Sequence, residues 1–156
     1  MKILFLSRWF PYPANNGSKL RIYNLLRGLS QHHDVTLLSF ADQPNVSLEA
    51  PEIRSVCREV HVIPWREFDP RSWRARLAFF SLKPRSVVDT FSPEMAQKIT
   101  GLLNAHKFDL VIASQLPMAA YFPYFGNTPA LFEEIELGLS YGDAHNPSGG
   151  WKKRLR

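Results

Sequence analysis

Five short apolar runs, spaced so that a helix fits between most of them, limit what this 156-residue chain can become. They lie at residues 3–6, 35–40, 60–63, 109–113 and 130–132. Runs that stay apolar, rather than alternating with polar residues, suit strands buried on both faces, as in a covered parallel sheet. Parallel neighbours need a crossover, usually a helix. Between the first two runs, Ile22, Leu25, Leu26 and Leu29 fall at i, i+3, i+4 and i+7, one apolar helix face. Met95, Ile99, Leu102 and Leu103, at i, i+4, i+7 and i+8, make a second such face before the fourth run, with Ser92 placed to cap the helix and Pro93 at its first position. Pro64 stops the third run. The expected fold is α/β: a Rossmann-like three-layer α/β/α domain with a mainly parallel sheet, strand order 3-2-1-4-5 and right-handed crossovers.

Composition narrows the function. Hydrophobic residues make up 45% of the chain, enough for a real core, so disorder is not expected. No apolar run reaches the ~18 residues that span a bilayer, and the opening run is too short for a signal peptide. The single cysteine, Cys57, excludes an internal disulfide, fits a reducing cytoplasm and reads most simply as a small buried apolar residue. With one cysteine and five scattered histidines, neither a metal site nor a cofactor is expected. The net charge of +5 invites a nucleic-acid reading, but there is no zinc finger, RNP motif or KH loop, and no nucleic-acid partner is expected. The positive charge gathers at residues 54–85 and in the last six residues, WKKRLR, where phosphorylated small molecules or an anionic membrane surface account for it equally well. Residues 41–50 read as a loop. Residues 138–150, rich in Gly, Ser, Asn, Asp and Pro, read as flexible. The expected organisation is one domain over 1–137, then a flexible basic segment, 138–156, leading to a further domain.

The stretch FPYPANNGSKLRIYNLL, residues 10–26, follows the first strand. In an open α/β sheet, ligands bind beyond the carboxyl ends of the strands, near the switch point, so the loop from Arg8 to Asn16 lines the expected crevice. Asn16, Gly17 and Ser18 open the next helix. Its free N–H groups and positive dipole end favour an anion, and Gly17 lacks a Cβ that would hold a ligand away. Lys19 adds positive charge. The same residues also read as a turn and a helix cap, with no ligand at all. A dinucleotide fingerprint is poorly matched, since one glycine stands about ten residues beyond the strand where G-x-G-x-x-G needs three. Asp42 imitates the ribose-binding acid only weakly without them. This counts against a nucleotide-dependent oxidoreductase, and a P-loop motif is absent.

MKILFLSRWFPYPANNGSKLRIYNLLRGLSQHHDVTLLSF resembles the opening of a GT-B glycosyltransferase of family 4. The resemblance is carried by Pro11 and Pro13, Gly17-Ser18, the leucines from Leu25 to Leu29, and His33-Asp34-Val35-Thr36-Leu37. The variant P-Y-P-x-x-x-G-x-x-x-R is similar to a subgroup associated with exopolysaccharide sugar transfer. FDLVIASQLPMAAY, residues 108–121, resembles the family's fourth strand and following helix. The resemblance covers nearly the whole chain, most strongly residues 1–40 and 92–121. It implies two Rossmann-like domains facing across a cleft. The N-terminal one mainly holds a glycan or lipid-linked acceptor; the C-terminal one binds the nucleotide-sugar donor and carries an E-x7-E motif with the main catalytic acids. Transfer would be retaining and usually metal-free, in cell-surface polysaccharide or glycolipid synthesis, in the cytoplasm with peripheral contact at the inner membrane face. Two departures stand out. The second glycine common in this loop is Ser18 here. The histidine common after the fifth strand is replaced by Glu133-Glu134-Ile135-Glu136, where one of Glu133, Glu134 and Glu136 binds an acceptor hydroxyl or all are simply solvated. This chain alone, without an E-x7-E partner domain, is expected to transfer no sugar. The alternative is a non-catalytic Rossmann-like module that binds a sugar or nucleotide.

The basic aromatic segment DPRSWRARLAFFSLKPR, residues 69–85, sets Trp73, Leu77 and Phe80 at i, i+4 and i+7, with Arg71, Arg74 and Arg76 mostly off that stripe. The ordinary expectation is a crossover helix with its stripe packed on the sheet. The sharper one is contact with a membrane surface or a lipid acceptor.

Overall fold

The computed structural model describes residues 1–41, 46–48 and 50–133. All five strands form: β1 (Lys2–Ser7), β2 (Asp34–Ala41), β3 (Glu59–Pro64), β4 (Leu110–Ser114) and β5 (Ala130–Glu133). Every pairing is parallel and the order is β3-β2-β1-β4-β5, as expected. Pro64 is the last residue of β3 rather than lying beyond it. It sits on an edge strand, where no inner neighbour needs its missing N–H.

Period-two alternation lies hidden inside the apolar runs. Ile3, Phe5, Val35 and Leu37 point to one face, with Ile22 and Leu26 of helix α1 (Gly17–Ser30) and Ile53 of the short α2 (Pro51–Arg54). Leu4, Leu6, Leu38, Phe40 and Val111 point to the other, against Met95, Ile99 and Leu102 of helix α5 (Pro93–Ala105) and Met118 of α6 (Leu116–Ala119). The split follows from the strand order. The chain steps one way from β1 to β3 and the opposite way from β3 through β4 to β5, so crossovers of one hand place their helices on opposite faces. Both long helices start as their sequences indicate. Asn16 Oδ1 accepts from the Lys19 N–H at 2.9 Å, and Ser92 Oγ accepts from the Met95 N–H at 3.3 Å, with Pro93 next.

Two expectations fail. β5 is not covered on its faces by described residues: Leu131 and Phe132 are each about half exposed, because the four-residue α6 before it is too short to roof an edge strand. The Trp73, Leu77 and Phe80 stripe does not pack on the sheet either. Helix α3 (Trp73–Leu77) and the 3₁₀ turn Ala78–Phe80 bury Ala75 and Ala78 instead, and the three large side chains face outward. Polar pins set this rotation. Arg85 Nε donates to the Ala75 carbonyl at 2.9 Å, and Arg74 donates to the Phe91 carbonyl at 3.1 Å. Asp89, on helix α4 (Arg85–Thr90), is fully buried; it accepts from the Asp69 N–H at 2.9 Å and from the Ser72 hydroxyl. Burial pushes the Asp89 carboxyl up, but these two hydrogen bonds and the charges of Arg66 and Arg74 outweigh it and hold its pKa below the ordinary value.

Among the described residues, no helix is long and apolar enough to cross a membrane, and no His, Cys, Asp and Glu cluster has the makings of a metal site.

Candidate functional site

The carboxyl ends of the strands meet in a polar row. Ser39, Ser7, Ser114 and Glu133 are register partners in turn across β2, β1, β4 and β5. The three serines are buried, and none is left without a partner: Ser7 Oγ donates to the Trp9 carbonyl at 2.8 Å, Ser39 Oγ to the Phe40 carbonyl at 2.8 Å, and Ser114 Oγ to Glu133 Oε2 at 2.7 Å. This row closes the apolar core. Above it, between the ends of β1 and β4, lies a crevice of about 510 Å³ lined by Arg8, Gly17, Ser18, Arg21, Gln115 and Glu133 among others. Its size suits a small ligand, and its position is the switch point of the sheet, where β1 sends the chain one way and β4 the other. A larger, more open depression of about 630 Å³ lies at the opposite edge, beside Met1, His32 and Asp109. That edge carries the amino ends of the strands and no helix start, so we place the candidate site at the crevice.

Four elements build it, one of them β5, which ends in Glu133. The loop after β1 contributes Arg8, only 7% exposed, whose guanidinium lies 3.6 Å from the centre of the Trp65 ring and 4.2 Å from that of Trp9, and 3.7 Å from Glu67. Cation–π contact on two rings holds this cation at the crevice wall. Helix α1 contributes its first turn. Arg21, one turn in, pairs with Glu133 Oε1, so the carboxylate is gripped by Arg21 on one oxygen and Ser114 on the other. An ionised carboxylate accepts about four hydrogen bonds, so acceptor capacity remains for a ligand hydroxyl. The end of β4 contributes Gln115, whose Oε1 accepts from the Arg8 N–H at 3.0 Å and ties the two loops together.

Backbone conformation and residue type are inverted around this crevice. Gly17 has no positive φ, and a Cβ built on it would meet nothing within 4 Å, so neither the turn nor the packing calls for glycine. Gln115, in contrast, has φ 76° and ψ 149°, a region that suits glycine and costs a side-chain-bearing residue about 1–3 kcal/mol. A glycine stands where the fold does not need one, and a glutamine stands where the fold would prefer glycine. Strain of this kind is kept where a surrounding network holds it, here the bond from Gln115 to Arg8 and the Gln115 N–H donating to the Glu133 carbonyl at 2.8 Å.

The expected residues divide accordingly. Gly17, Ser18 and Glu133 line the crevice. Asn16 spends its side chain on the helix cap, and neither it nor Lys19 is among the lining residues. Glu134, Glu136 and Asp42 lie outside the described residues, as does the basic segment 138–156. Arg8 falls in the loop expected to line the crevice, whereas Arg21, Ser114 and Gln115 line it without having been singled out from sequence. Arg21 alone had a local signal, as the arginine that closes P-Y-P-x-x-x-G-x-x-x-R. Cys57 is buried, with its thiol pushed up to about 12 by burial, and takes no part. No protein-family model matches the chain, and no curated protein matches it, so what the crevice holds is read from its own residues.

Proposed function

We propose that the chain is the acceptor-side half of a retaining glycosyltransferase, which moves a sugar from a nucleotide-sugar donor to a glycan or lipid-linked acceptor in cell-surface polysaccharide or glycolipid synthesis. The observation that carries this reading is one crevice, at the sheet's switch point, that joins an unobstructed helix start to a held carboxylate. The helix start suits a phosphate or pyrophosphate. Glu133, fixed by Arg21 and Ser114, suits sugar hydroxyls. With both oxygens already bonded, Glu133 orients a hydroxyl rather than removing its proton. The resemblance of residues 1–40 and 92–121 to family 4 enzymes supports the same assignment. The bond-breaking acids belong to the second domain that the resemblance implies, and positioning of two substrates across a closed cleft supplies much of the rate.

The test is backbone-amide NMR of the chain titrated with a sugar pyrophosphate, a nucleotide sugar and NAD in turn. Shifts at Gly17, Ser18 and Gln115 with the sugar ligands are expected. No response to either sugar ligand, or a response to NAD alone, would sink the proposal. A non-catalytic binding module would give the same shifts, so the second arm is transfer by the two-domain protein. There Gly17→Val should depress turnover, whereas a module shows none to depress.

A further inference from the structure

Between β3 and α5 the chain makes an excursion that is built inside out. Its small residues, Ala75 and Ala78, are buried, while Trp73 is 70%, Phe80 92% and Leu82 107% exposed, with Leu77 and Phe79 also exposed. Five large apolar side chains within ten residues form a patch of the kind that marks an interaction surface. Cations surround it. Arg74 and Arg85 hold the excursion together through backbone carbonyls, but the side chains of Arg71, Arg76 and Lys83 are exposed and make no hydrogen bond or ion pair among the described residues. Apart from Phe79, whose ring centre lies 4.0 Å from the Arg85 guanidinium, the fold has turned outward both the apolar bulk and the cations that its own packing does not use.

We propose that this excursion docks on an anionic lipid bilayer, with Phe80 and Leu82 entering the acyl boundary and Arg71, Arg76 and Lys83 facing the head groups. Charge complementarity selects this occupant. A second copy, packed about a twofold axis, would set the same cations against one another. The chain's own end, WKKRLR, is basic as well and would be repelled. An anionic surface satisfies both halves of the patch at once, as amphipathic elements do at membrane interfaces. The excursion leaves the carboxyl edge of β3, the edge that also carries the crevice. Its root is fastened there, since Arg8 of the crevice wall stacks on Trp65 and lies 3.7 Å from Glu67. A docked protein would hold the crevice beside the membrane surface. Docking does not depend on what the crevice binds, so this proposal and the glycosyltransferase reading fail separately.

The experiment is flotation of the 156-residue chain with phosphatidylcholine vesicles, with and without phosphatidylglycerol, at about 0.1 M and about 1 M salt, where the Debye length falls from about 10 Å to about 3 Å. Binding is expected only to the anionic vesicles and mainly at the lower salt. Each freed cation should contribute about five-fold, so replacing Arg71, Arg76 and Lys83 together by Ser should weaken binding on the order of 100-fold. Phe80→Ser with Leu82→Ser should weaken it about ten-fold or more at unchanged charge. Both residues are almost wholly exposed, so the melting curve should not move, which separates lost docking from lost folding. Quenching of tryptophan fluorescence by brominated lipid should shrink in Trp73→Phe. Absence of binding to anionic vesicles, or binding indifferent to both sets of substitutions, overturns the proposal. So does a dimer abolished by Phe80→Ser and Leu82→Ser when no vesicle binds, which would give the patch to a second copy.

Discussion

Replacing Gly17 by alanine should make the protein more stable and less able to bind. Gly17 is the first residue of α1, its φ is not positive, and a built Cβ meets no atom within 4 Å. Alanine therefore adopts the native backbone without strain. Its smaller conformational freedom in the unfolded chain should add about 0.4–1 kcal/mol of stability. In a protein of this size that raises Tm by roughly 1–4 °C. Gly17 lines the crevice, so a methyl there should crowd an anion at the α1 N–H groups. A phosphate held there by charge-assisted hydrogen bonds, each contributing about 1.5–3 kcal/mol, should lose at least one of them and bind roughly ten-fold or more weakly. Scanning calorimetry gives the first number and isothermal titration with the sugar pyrophosphate the second. Gly126 is the control. Its φ of 59° is left-handed, so Gly126→Ala should destabilise by about 1–2 kcal/mol although its Cβ also meets open space. A lower Tm for Gly17→Ala would refute the claim that the fold leaves this position free. Unchanged affinity in a stabilised variant would return Gly17 to a plain helix start.

Asp89→Ala should cost about 2–4 kcal/mol in urea unfolding, because the Ser72 hydroxyl and the Asp69 N–H lose a buried acceptor. The folded-state pKa of Asp89 lies below its unfolded value of about 3.9, so its contribution is fully present above about pH 4 and fades as pH falls through the folded value; Asp89→Asn should flatten that acid limb. Cys57, buried with a thiol pushed up to about 12, should react with a disulfide reagent only as the protein unfolds, and rapid labelling of the native chain would contradict its placement.

Much of the fold is legible in the sequence because its signals are local. Five apolar runs fall on the five strands, the leucine face of α1 turns inward, and Ser92-Pro93 begins α5. Strand order follows from crossover length and handedness once the strands are placed. The glycine loop and Glu133 could be suspected from their positions after strands. The contacts that make a site of them could not. Arg21 and Glu133 are 112 residues apart, and Arg8 and Gln115 are 107 apart, pairs that only the closed sheet brings together. Gln115 carries its positive φ without any residue-type signal, since the strain is held by those same distant bonds. Hydrophobic periodicity misjudged α3 for a related reason. It counts apolar side chains on a face, while the rotation of a five-residue helix is decided by a few polar bonds, from Arg85, Arg74 and Asp89, made to its backbone and its neighbours. A long helix averages over many side chains and its period prevails. A short one turns on its pins, and here they leave Ala75 inside and Trp73 and Leu77 in solvent.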